Sequence, residues 1–232
     1  MLYIIGLGLN EEGISLEGME IAKKCKKVYL ENYTIEFPYT LEKLEEVLDK
    51  KIIPADREFV ESLQIIDEAR KMDIALLVYG SPLTATTHIT LLNEAKLSDV
   101  KCKVIYSASI LDGIAESGLQ LYKFGKITSL PKFEAESFIE VIKENQSIGA
   151  HSLVLIDIGL DFEEAIENLI KVSDKNNVKV NKLVVCSRLG CKGRRICYDN
   201  INNLKSLDIQ APFCFIIPGK LHFMEKEVLE SF

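Results

Sequence analysis

The residues best placed to do chemistry lie in VYGSPLTATTHITL, positions 78 to 91, where an apolar strand ends in Gly80-Ser81-Pro82 and runs into three threonines and a histidine. Gly80 lets backbone and ligand approach with no Cβ between them, while Pro82 fixes φ and cannot pair within a sheet. Thr84, Thr86 and Thr87 then offer hydroxyls and, at the start of an expected helix, free amides, so the segment reads as a ligand floor. His88 is the one histidine expected beside such a site. His151 and His222 read as packed or surface residues, and no two of the three have metal-ligand spacing. No metal is expected from the cysteines either. Cys186, Cys191 and Cys197 are separated by four and five residues with no histidine nearby. With Cys25, Cys102 and Cys214 they read as buried thiols.

A second glycine turn, GLGL at 6 to 9, follows the first strand. A dinucleotide fingerprint spaced G-x-G-x-x-G needs its third glycine two positions before Gly13, and Glu11 and Glu12 occupy the space where pyrophosphate would sit. Two carboxylates repel that anion, so Gly6 and Gly8 are expected to admit a neutral or cationic ligand. The chain has no G-x-S-x-G elbow and no phosphate-binding loop. Chemistry that asks little of side chains fits better, with a reactive cofactor supplying the activated group and the protein supplying position and desolvation.

Short runs rich in Val, Ile, Leu and Tyr position these turns: LYII (2 to 5), VYLE (28 to 31), KIIP (51 to 54), IALLVY (74 to 79) and KVIY (103 to 106). Between them, Leu41, Leu44 and Leu48 repeat at helical spacing behind Thr40 as an N-cap, and Phe59, Leu63 and Ile66 do the same. Alternation of this kind predicts a mainly parallel sheet with helices on both faces. SASILDG at 107 to 113 breaks the rhythm, giving expected domains 1–107 and 108–232. The second half predicts one well-marked helix, begun by Asp161 and Glu164 and burying Phe162, Ala165, Ile166 and Leu169. Its strands are expected at SLVLIDI (152 to 158), KLVVCS (182 to 187), RRICY (194 to 198) and FCFII (213 to 217), with a hairpin turning through Gly190 to Gly193. The expectation is an α/β protein of two α/β domains, the second built on a mixed sheet.

Composition narrows the function classes. The chain has 232 residues, 47% hydrophobic and 27% charged, with a net charge of −7. Disorder is excluded, and a non-specific grip on nucleic-acid phosphates is not expected. Arg188, Lys192, Arg194 and Arg195 form a local basic patch that reads first as a solvated hairpin. The opening MLYIIGLGLNEEG lacks a basic flank and meets Glu11 and Glu12 too early for a signal peptide or a bilayer span, so an intracellular, cytoplasmic protein with no membrane partner is expected.

Taken together, GLGL, GSPLTATTH, SASILDGIAESGLQLYKFGK, CSRLG and IPGKLH resemble the diphthine synthases, within the tetrapyrrole-methylase-like class of S-adenosylmethionine-dependent methyltransferases. The resemblance runs from residue 1 to about 229. ATTH, YKFGK (122 to 126) and PGKLH (218 to 222) are its specific parts; GLG and the Gly-x-Pro turn belong to the wider class. It implies two α/β domains with the cofactor in the cleft between them, and a homodimer. The implied activity is repeated methylation of the amino group of an aminocarboxypropyl-histidine on translation elongation factor 2, leaving S-adenosylhomocysteine. Carried over by motif, the cofactor contacts are Leu9, Ser81, Thr84, Ser109, Ile110, Ile156, Leu189 and Phe213. No catalytic residue is carried over, and the general base is left open, with water able to serve.

Ser81 departs from the family pattern, which has Asp there, and predicts weaker cofactor binding by about 1 to 3 kcal/mol if the lost contact was charged and desolvated. The chain also reads as shorter than archaeal relatives around 32 to 40 and 130 to 134, expected cleft-edge loops. Two other readings stay open: a methyltransferase for a tetrapyrrole or other small acceptor, and a non-catalytic protein that holds elongation factor or cofactor.

Overall fold

Apolar residues at every position of IALLV give a strand buried on both faces, and this strand, β4 (Ile74–Val78), sits at the centre of the first sheet. The computed structural model describes every residue except Leu63 and Glu134. Two compact units divide the chain, Met1–Asp112 and Gly113–Phe232, with the division five residues beyond the one expected after 107.

The first unit runs β1 (Leu2–Gly6), α1 (Leu16–Lys24), β2 (Lys27–Glu31), α2 (Leu41–Leu48), β3 (Ile53–Ala55), α3 (Arg57–Glu61), α4 (Gln64–Ala69), β4, α5 (Ile89–Leu97), β5 (Cys102–Ile105) and α6 (Ile110–Gly113). The strands lie in the order β3-β2-β4-β1-β5, and all pairs are parallel. Alternate residues feed two cores. Leu2, Ile4, Ile74, Leu76 and Val78 pack with Val60, Ile65, Ile66, Leu91 and Ala95 of α3, α4 and α5. Ile5, Ala75, Leu77, Val28 and Leu30 pack with Ala22, Leu44 and Leu48 of α1 and α2. Thr40 caps α2 as expected, its hydroxyl accepting from Lys43 N. The single helix expected through Phe59, Leu63 and Ile66 is two, α3 and α4, with Leu63 outside the described residues. Ser62 ends the first of these. KIIP shifts to Ile53–Ala55, because Ile52 N bonds the Glu45 carboxylate instead of a neighbouring strand.

The second unit runs β6 (Thr128–Leu130), α7 (Ser137–Ser147), β7 (Ser152–Ile156), α8 (Phe162–Lys175), β8 (Lys182–Ser187), β9 (Arg195–Asn200), α9 (Ile201–Leu204), β10 (Phe213–Ile217) and α10 (Phe223–Leu229). Its order is β6-β7-β10-β8-β9; β6 and β7 are parallel and the other pairs antiparallel, so the sheet is mixed. Asp161 caps α8 through Glu164 N, and Phe162, Ala165, Ile166 and Leu169 are buried against the sheet. The expectation of one well-marked helix here is corrected by α7, which buries Phe138, Ile139 and Ile142 in the same core. Among the described residues no helix is long and apolar enough to cross a membrane.

Candidate functional site

In an open parallel sheet, ligands bind beyond the carboxyl ends of the strands where the chain changes direction across the sheet. Here β1 leads leftward to β2 and β4 leads rightward to β5, while β1 and β4 are neighbours. The switch point therefore lies between them, and the two turns singled out in the sequence leave from it. They are stitched together: Gly8 N donates to Gly80 O at 3.1 Å and Gly80 N to Gly8 O at 3.0 Å.

That stitch corrects the reading of Gly6 as a ligand approach. A Cβ on Gly6 would stand 2.6 Å from Gly80 O and 3.0 Å from both Pro82 Cδ and Ser107 Cβ. Its missing side chain lets protein meet protein. Gly80 is different. It holds φ at +71°, and a Cβ there would meet nothing closer than Ala108 O and Ser109 Cα at 3.8 Å. A Cβ there would sit in ordinary van der Waals contact with the turn after β5, so what calls for glycine at this position is its left-handed backbone and not crowding.

Leu9, Ser81, Thr84 and Ser109 lie on the three turns that follow β1, β4 and β5, and Ile110 opens α6 directly after the third. Ser81 and Thr84 are half-buried in one tight turn, closed by Thr84 N donating to Ser81 O at 3.1 Å. This overturns the expectation of a free Thr84 amide. The helix also starts later than expected: Ala85 takes a left-handed φ of 55° and Thr86 Oγ1 turns back to Pro82 O at 3.0 Å, so α5 begins only after His88. Ser109 is buried, and its amide and hydroxyl both donate to Asp112 Oδ2, at 2.7 and 3.0 Å. Leu111 N donates to the same hydroxyl at 3.2 Å. Ser109 is thus a helix cap that fixes Ile110, which stays half-buried. The Ser-x-x-Asp spacing, a capping pattern, was the signal for Asp112. Two further residues carried no such signal. Ser107 Oγ ties the turn after β5 to Gly13 O at 2.8 Å, and Tyr79 Oη ties the turn after β1 through Leu9 O at 2.7 Å.

In the second unit, Ile156, Leu189 and Phe213 gather at one end of the mixed sheet. Leu155 pairs with Cys214, so Ile156 and Phe213 each lie one step beyond that pair. Phe213 pairs with Ser187, two residues before Leu189. Leu189 is buried, while Ile156 and Phe213 are half-buried and leave apolar surface free. The basic patch beside them is largely occupied. Arg188 Nε donates to Ala211 O, Arg195 to Asp208 O, and Arg194 pairs with Glu116 at 3.2 Å. This is the solvated hairpin expected.

YKFGK and PGKLH meet around a buried carboxylate. Glu225 Oε1 accepts from Gln120 N at 3.0 Å and from His151 Nε2 at 3.1 Å; Oε2 accepts from His222 N at 2.6 Å and from the Lys123 ammonium. Gly219 N donates to His151 Nδ1 at 2.8 Å, which fixes the tautomer and leaves that ring neutral. Burial alone would raise the Glu225 carboxyl, but these donors outweigh it and hold it down at about 2. Burial lowers His151 by more than Glu225 raises it. Gly125 is needed because a Cβ would stand 2.1 Å from Asn145 Oδ1. Both motifs are structural. Among the described residues no group of His, Cys, Asp or Glu is placed to hold a metal ion. Of the six cysteines only Cys25, Cys186 and Cys214 are buried; Cys102, Cys191 and Cys197 are half-buried, against expectation.

Comparison with known proteins agrees with this architecture. Residues 1–205 match the family of tetrapyrrole (corrin/porphyrin) methylases. A diphthine synthase of Methanococcus maripaludis is 40% identical, covering 99% of this chain and 98% of its own, and one of Methanocaldococcus jannaschii is 41% identical with the same coverage. A crystal structure of diphthine synthase superposes with a TM-score of 0.92 at 33% identity, covering 100% of this chain and 95% of that one. With likeness in sequence and in fold running the whole length of both partners, the chain belongs to the diphthine synthases of the tetrapyrrole methylase family.

Proposed function

We propose that this protein is an S-adenosylmethionine-dependent methyltransferase, a diphthine synthase, that repeatedly methylates the amino group of the aminocarboxypropyl-histidine of translation elongation factor 2 on the way to diphthamide. The observation that carries this reading is end-to-end similarity to diphthine synthases in both sequence and fold. Leu9, Ser81, Thr84, Ser109 and Ile110 of the first unit and Ile156, Leu189 and Phe213 of the second contribute to one cofactor site in this proposal, which takes the cleft arrangement from the family. The residues fit the group. Ser81 and Thr84 are half-buried and offer hydroxyls on the turn after β4, and the half-buried Ile110, Ile156 and Phe213 offer apolar surface for a flat purine.

Bound there, S-adenosylmethionine supplies a methyl already activated on a sulfonium. The turns after β1, β4 and β5 hold position, and the apolar side chains exclude water; alignment of this kind is worth roughly 7 to 11 kcal/mol at best. No side chain is assigned as base, and the amine's proton leaves to water. A cytoplasmic homodimer, with elongation factor 2 as its protein partner and neither nucleic acid nor membrane, belongs to the same proposal.

The test is radiolabelled methyl transfer to elongation factor 2 with and without the aminocarboxypropyl group. Label on the modified factor alone supports the reading. Label on a tetrapyrrole instead, or cofactor binding with no transfer to any acceptor, overturns it in favour of a small-acceptor enzyme or a holding protein.

A further inference from the structure

The buried histidine that follows the cofactor turn has one nitrogen at work and one idle. His88 is 2% exposed, and its Nδ1 lies 3.2 Å from Pro82 O. A carbonyl only accepts, so Nδ1 carries the hydrogen. Pro82 O takes a second bond, from Thr86 Oγ1 at 3.0 Å. Both donors therefore pull on the peptide inside the Ser81-to-Thr84 turn, which the Thr84 N to Ser81 O bond closes.

The other end of the ring does no such work. Among the described residues Nε2 is buried with no hydrogen-bond partner, and Glu31 Oε2 lies 4.0 Å away. Glu31, itself 1% exposed, is already satisfied by Tyr33 N, Thr34 N and Thr34 Oγ1 at 2.8 to 2.9 Å. A buried polar atom left unpaired is costly, and such atoms are rare unless the rest of the group returns something. What His88 returns here is the Nδ1 contact with the turn.

Resting on the methyltransferase reading, we infer that His88 is a positioning residue: its Nδ1–H, seconded by Thr86, fixes the peptide after Pro82 and so sets where Ser81 and Thr84 meet the cofactor. It touches no substrate and takes no part in the transfer itself. Because Nδ1 alone acts, the side chain that keeps an amide nitrogen at the same distance from the backbone should replace it, and the longer one should not.

H88N preserves a donor at the Nδ1 position, and H88Q places its donor at the Nε2 position. Amide hydrogen exchange of Thr84 in the cofactor-free protein is measured beside cofactor titration and steady-state kinetics. H88Q is expected to speed Thr84 exchange about tenfold and to raise Kd and KM for S-adenosylmethionine about tenfold, the scale of one lost hydrogen bond. Its kcat at saturating cofactor and its KM for the protein acceptor stay as in the native enzyme, and H88N restores Thr84 exchange and Kd. Native Thr84 exchange in H88Q overturns the inference, and so does H88N behaving like H88Q. If the native protein binds no S-adenosylmethionine, the methyltransferase reading falls, and Thr84 exchange in the two variants still decides the role of His88.

Discussion

Glu225→Gln is the perturbation whose size the structure sets most closely. The carboxylate is fully buried and accepts from two backbone amides, His151 and the Lys123 ammonium. Glutamine keeps the volume and one acceptor oxygen, removes the charge and turns an amide NH2 toward groups that donate. Holding the carboxyl at about 2 instead of its ordinary 4.5 corresponds to about 3 kcal/mol of stability at neutral pH. At roughly 2 to 4 °C per kcal/mol for a chain of this size, Tm should fall by about 6 to 12 °C. The pH dependence has a fixed sign. Between about 2 and 4.5 the unfolded chain binds more protons at this group than the folded one, so the contribution is whole above 4.5 and is lost as pH falls through about 2. His151 acts in the same direction, since its lowered pKa lets the unfolded chain take a proton first as pH drops below 6.5. Denaturant titrations of both proteins from neutral pH down to about pH 3 separate these effects. E225Q should lose stability at neutral pH and show a shallower acid-side slope below 4.5, the remainder coming from Glu45, Glu68, Glu136 and Asp199, which are also held low. A variant with the native midpoint at neutral pH, or with that slope intact, would refute the role given to this carboxylate.

Restoring the family's acid by Ser81→Asp should tighten S-adenosylmethionine binding by roughly 5- to 150-fold, the equivalent of about 1 to 3 kcal/mol. Calorimetric titration reads it directly, and unchanged affinity would mean the turn binds through its backbone. Gly6→Ala and Gly80→Ala should part company. The first drives a Cβ to within 2.6 Å of Gly80 O and lowers Tm. The second costs about 1 kcal/mol for its left-handed φ, keeps the fold, and weakens cofactor binding by shifting the turn that carries Ser81 and Thr84. Asn145→Ala removes bonds to Lys126 N, Lys126 O and Ser152 Oγ. It should cost about 2 to 4 kcal/mol by thermal unfolding, with cofactor affinity unchanged.

Strands and helices with strong periodicity were legible in the sequence. KLVVCS and FCFII are β8 and β10 to the residue, and Thr40 and Asp161 cap the helices they were expected to cap. Elements held by distant partners were not. β6 is three residues, TSL, with no apolar run to announce it, and it exists because β7 offers a free edge. The turn residues of the candidate site were legible because Gly, Pro and Ser after an apolar run have a local meaning. Their bonding was not, since the Gly8 to Gly80 stitch joins residues far apart in sequence. The same holds for the Ser107 bond to Gly13. Glu31 shows the limit plainly: at the end of a strand it reads as surface, yet its carboxylate is buried under three donors.

The most direct measurement is tandem mass spectrometry of aminocarboxypropyl-modified elongation factor 2 after incubation with this protein and S-adenosylmethionine. Three methyl masses on the amino nitrogen of the modified histidine, or a fourth on its carboxylate, are the expected products. An unchanged mass from protein that binds the cofactor, or methyl groups found on any other residue, would contradict the assignment.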